Sequence, residues 1–106
     1  MDLFANVQGN ALFAPDKMKK NNLFTTPRLF CDVYCFEPGQ EQTAHSHAGA
    51  DKIYYVIEGT GRIRVGEDER TVPAGTAVLA PAGASHAVHN PGPARLTLLV
   101  MMAPKP

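Results

Sequence analysis

Net charge is the first thing this sequence lacks: in 106 residues, ten Lys plus Arg balance ten Asp plus Glu. No net field draws the chain to nucleic acid or to an anionic membrane, and the basic run Lys17, Lys19, Lys20 is too short to act as a tail. Long apolar runs are missing too. The longest, residues 96–103, contains Thr97 and is less than half of the roughly 20 residues a spanning helix needs. Met1-Asp2 opens the chain without a basic leader, so a soluble cytoplasmic protein is expected. The length leaves no room for a second core. Cysteine is scarce. In an extended run Cys31 and Cys35 stand about 13 Å apart at ~3.3 Å per residue, beyond disulfide reach. They read as two small, reduced, buried side chains facing the core.

What is present belongs to a folded chain, since 44% apolar and 19% charged residues are far from the composition of a disordered one. From Arg28 onward, Gly and Pro recur at short intervals: Pro38-Gly39, Gly59, Gly61, Gly66, Pro73, Gly75, Pro81, Gly83 and Pro91-Gly92-Pro93. Between these turn signals lie segments rich in β-branched, aromatic and aliphatic residues, at 29–37, 53–58, 62–65, 76–80, 85–90 and 96–102. Each is too short for a stable helix, and their regular spacing predicts an all-β sandwich or barrel. Alternation agrees: Ile63 and Val65 fall on one face and Arg62 and Arg64 on the other. Glu67-Asp68-Glu69 then reads as a hairpin tip in water. Residues 1–27 predict one or two edge strands and a helical turn, an arm ahead of a barrel domain at 28–106.

Three of the four histidines carry the candidate chemistry. His45 and His47 are two apart, so on an extended strand their imidazoles share a face and can share an ion. His86 follows the corner Pro81-Ala82-Gly83, and a barrel can bring it beside them. The same His-x-His also fits a surface pair. Alternation places His86, Val88 and Asn90 together and turns His89 outward, away from any ligand set.

These residues resemble the motifs of the cupin superfamily. Gly39, His45, His47 and Gly59 follow the first pattern, G-x5-H-x-H, three or four residues, E, six residues, G. Gly75, Pro81, Gly83, His86 and Asn90 match every defined position of the second, G-x5-P-x-G-x2-H-x3-N. The resemblance implies a small antiparallel β-barrel or jelly-roll sandwich. It also implies a divalent transition metal (Fe, Zn, Ni, Mn or Cu) held by His45, His47 and His86. The departure lies at the fourth ligand. Where the family has Glu, the spacing to Gly59 leaves Lys52, whose ammonium has no lone pair to donate. Asp51 could ligate only if a bulge reversed its face.

The parity of Lys52 turns Tyr54 and Val56 inward as well, so Lys52 and Tyr54 are the candidate catalytic or substrate-contacting groups for an oxygen-rich or anionic small molecule. Parity leaves open which face of 29–36 meets the cavity. The expected function is binding or conversion of a small molecule at a three-His metal, with dioxygenase-like chemistry implied by the resemblance. Metal-assisted isomerase or lyase chemistry, a metal-free polar cavity and a non-catalytic binding or sensor module suit the same fold. A homodimer is expected because so small a sandwich has edges to cover.

Overall fold

The computed structural model describes residues 2–105. Among them are nine strands: β1 (Lys19–Thr25), β2 (Phe30–Phe36), β3 (Glu41–His45), β4 (Asp51–Glu58), β5 (Thr60–Val65), β6 (Asp68–Pro73), β7 (Ala77–Ala80), β8 (His86–His89) and β9 (Leu96–Ala103). They form two antiparallel sheets, one in the order β1-β2-β9-β4-β7 and one in the order β3-β8-β5-β6. A 3-10 turn at Gln8–Asn10 precedes them. Among the described residues no helix is long and apolar enough to cross a membrane.

Alternation builds the core. On β4, Lys52, Tyr54 and Val56 are buried while Asp51, Ile53 and Tyr55 are exposed. Across the gap, β8 buries His86 and Val88, and β5 contributes Ile63. Tyr34, Phe36, Leu96, Leu98 and Val100 complete the layer between the sheets. At the packed end, Gly59 has φ +82° and its missing side chain lets the Arg95 carbonyl close in; a Cβ would collide with it. Asn90 fastens the same end: its Nδ2 donates to the carbonyls of Phe36 and Ala94, both at 3.0 Å, and its Oδ1 accepts from Gly92 N at 2.8 Å.

Two details differ from the sequence reading. The hairpin turn is Gly66-Glu67, so Asp68 and Glu69 already belong to β6, a strand whose charged residues hid it. The cysteines sit on the outer face of β2, turned away from the layer that holds Tyr34 and Phe36. Cys35 is nonetheless fully buried, because Asn21 on the neighbouring β1 covers it. The Asn21 amide also donates to the Leu12 carbonyl at 3.0 Å, and Gln40 Nε2 donates to the Ala14 carbonyl at 2.8 Å. The leading segment is thereby tied to the sandwich.

Candidate metal centre

His45, His47 and His86 converge. One ligand nitrogen from each lies within 4.8 Å of the others, a spacing that could hold a metal ion. They reach this point by three different devices. His86 is paired with His45 across β3 and β8, at the open end of the sandwich. His45 needs a register break: Gln42 pairs with Val88 and His45 with His86, three steps on β3 against two on β8. Strict alternation from the inward Gln42 would turn His45 outward, and the bulge at Thr43 and Ala44 re-aims it into the cavity. His47 lies past the end of β3, and its backbone carbonyl accepts from Gly83 N at 2.8 Å, so the loop after β3 is fixed to the corner before β8.

Backbone carbonyls set the tautomers of two rings. His45 Nδ1 lies 2.9 Å from the Thr43 carbonyl and His86 Nδ1 lies 3.0 Å from the Ala84 carbonyl, so both Nδ1 atoms are the protonated donors. Each Nε2 then presents a lone pair, and the two stand 3.0 Å apart. Two acceptors at that distance repel unless a cation lies between them. The separation equals the chord of about 3.0 Å that two nitrogens ~2.1 Å from an ion make at a right angle. Protons are disfavoured in that role. Burial, helped by the neighbouring imidazoles and Lys52 and opposed by the Ala84 bond, pushes His86 down to about 4, and burial also lowers His45 and His47. The donor set fits a divalent transition metal with further positions left for water or substrate.

Lys52 is 2% exposed and its Nζ lies 3.5 Å from His45 Nε2, so the lysine occupies the cavity beside the histidines. Its ammonium also stands 5.1 Å from the ring centroids of both Tyr34 and Tyr54. Burial and the Lys20 charge, against the opposing pull of Asp32, lower it to about 8. Tyr54 donates to Gln42 Oε1 at 3.4 Å, and burial drives its phenol far above the ordinary value, so it remains a protonated donor. The remaining cavity, about 440 Å³, is bounded by Lys52, Gln42, His45 and His47 together with Phe30, Tyr34 and Met102, which settles which face of β2 turns inward.

Lys20, Asp51 and Gln42 shape the site as well, and Lys20 and Gln42 were not among the sequence candidates. Lys20 stands at the rim, 5.4 Å from the Tyr34 ring, on a strand that gave no periodic signal. Asp51 is not a ligand; its Oδ1 accepts from Ala82 N at 2.8 Å and pins the corner that delivers His86. Gln42 carries the hydrogen bond to Tyr54. His89 lies on the other face of β8, among Glu41, Arg62 and Arg64, apart from the cluster.

Two facing antiparallel sheets with histidines gathered at one open end define a cupin-type jelly roll. The chain belongs to the cupin domain family, which matches residues 32–102. The TT1209 protein of Thermus thermophilus is 42% identical to it with a TM-score of 0.94, over 97% of this chain and 98% of that one. The 5-nitrosalicylic acid 1,2-dioxygenase of a Bradyrhizobium species is 42% identical over 40 residues, 38% of this chain and 19% of that protein. The tetracenomycin polyketide synthase protein TcmJ of Streptomyces glaucescens is 35% identical over 72 residues, 65% of this chain. This chain spans 48% of the latter protein's length.

Proposed function

We propose that this cupin holds one divalent transition metal through His45, His47 and His86 and binds or converts a small molecule at its open positions, by dioxygenase-like chemistry. The carrying observation is the pair of Nε2 lone pairs 3.0 Å apart, each fixed by a backbone carbonyl behind its ring. A bound ion would supply Lewis acidity and vacant positions for substrate oxygens. Lys52 and Tyr54 are then the candidate substrate-contacting groups: the ammonium lines the cavity, and the phenol donates its proton to Gln42 Oε1 at the cavity wall. The name of the Bradyrhizobium relative supports the oxygen-dependent reading.

Elemental analysis of the purified protein, followed by zinc and ferrous titration of the stripped chain, tests the metal. One ion per chain is expected, and absence of stoichiometric uptake overturns the reading. Oxygen uptake during turnover separates a dioxygenase from an isomerase or lyase, and ligand binding without turnover identifies a binding module.

Assembly as a homodimer belongs to the same proposal. Cys31, Met101, Ile53 and Leu79 are neighbours across four strands on the outer face of the five-stranded sheet. Ile53, Tyr55, Leu79 and Met101 are each 39% to 57% exposed there, an apolar strip suited to a second copy. Light scattering at micromolar concentration should give a dimer, and Leu79→Lys a monomer.

A further inference from the structure

We propose that the cavity receives a small organic acid whose carboxylate is bound by Lys52 and drawn in past Lys20, with its apolar body against Phe30, Tyr34 and Met102. This deepens the functional reading above, and half of its support is independent of the metal.

The independent half is the state of Lys52 itself. An ammonium carries three donors, yet the one hydrogen-bond partner of this buried group is His45 Nε2, at the long distance of 3.5 Å. The ion pairs among the described residues are Arg62–Glu69, Arg70–Asp68 and Arg95–Glu37, so none reaches Lys52. Asp32 acts on it from beyond ion-pair distance, with one carboxylate oxygen, Oδ1, accepting from Asn22 Nδ2 at 2.7 Å. Among the described residues no carboxylate lines the cavity. The faces of Tyr34 and Tyr54 attract the charge without supplying an acceptor for its protons. A buried charge with unfilled donors is costly unless a partner of opposite sign arrives.

The other half depends on the ion. The lone pair that Lys52 borrows from His45 is the one a metal would take, and loading therefore leaves the ammonium without a polar partner beside a like charge. A carboxylate satisfies both at once. Lys20, exposed at the mouth, adds a second positive group on the approach, and a cavity of about 440 Å³ has room for a body the size of a benzene ring.

Titration calorimetry of the metal-free full chain at neutral pH, with benzoate against its neutral isostere benzamide, tests this. Benzoate should bind at least tenfold more tightly than benzamide, and Lys52→Met should erase the difference. Lys20→Met, an exposed substitution, should weaken benzoate a few-fold and flatten its salt dependence. Equal affinity for the two probes, or no binding of either, overturns the proposal; should Lys52→Met fail to fold, the isostere contrast and Lys20→Met still decide. Zinc uptake without a benzoate preference would sink the anion site alone, and a benzoate preference without zinc uptake would sink the metal reading alone.

Discussion

The two ends of the space between the sheets are built from the same strands and are opposite in character. Phe36, Leu96 and Asn90 are buried at one end, and both polar atoms of the Asn90 amide are engaged: Leu96 is 0% exposed and packs 3.3 Å from the position a Cβ of Gly61 would occupy. Toward His45, His86 and Lys52, burial is as deep for the last two, yet two lone pairs face each other and, among the described residues, no carboxylate stands within ion-pair distance of the ammonium. One end stabilises the fold. The other spends that stability on holding polar groups out of water, as functional sites do.

The division of labour predicts how each end responds to damage. The largest effect belongs to the packed end. Leu96→Ala should destabilise the chain by about 3 kcal/mol in chemical denaturation while changing zinc affinity less than twofold. A large change in affinity would show that the two ends are coupled. His86→Ala should do the reverse, cutting zinc affinity at least a hundredfold, about 2.7 kcal/mol, with the metal-free fold retained.

Acid sharpens the contrast. Because His86 is held down to about 4 in the fold, against 6.5 when free, the unfolded chain binds more protons between those values. The stability of the metal-free protein should therefore be complete above about pH 6.5 and decline as pH falls toward 4, by about 2 kcal/mol from this group after solvent screening reduces the full value of about 3 kcal/mol. His86→Ala should flatten that slope. A slope unchanged in His86→Ala would assign the acid sensitivity elsewhere.

The smallest effect tests the site's departure from its family. Lys52→Glu removes a cation 3.5 Å from His45 Nε2 and places an oxygen ligand on the same inward side. Zinc affinity should rise about tenfold, or 1.4 kcal/mol. Unchanged affinity would mean that the lysine's charge does not oppose the ion.

Much of this was legible in the order of residues. Turn chemistry and period-2 alternation marked β2, β4, β5, β7, β8 and β9, because a Gly at positive φ and a half-buried strand leave local signatures. The two motifs named His45, His47 and His86, and the resemblance of the first motif's spacing put Lys52 rather than Asp51 at the family's inward Glu position. Less readable were β1 and β6, whose polar composition reflects edge positions in the two sheets.

The sequence by itself determined strands β2, β4, β5, β7, β8 and β9, the corners and the chemical identity of the four inward groups, since each depends on a residue and its immediate neighbours. Tertiary structure alone decided that His45 faces inward, because the bulge at Thr43 and Ala44 exists only against the register of β8. It also decided that carbonyls of Thr43 and Ala84 fix the ring tautomers, and that Lys20 meets Lys52 over one tyrosine. Those relations join atoms from strands far apart in the chain, and pairing register, which no local pattern encodes, sets their distances.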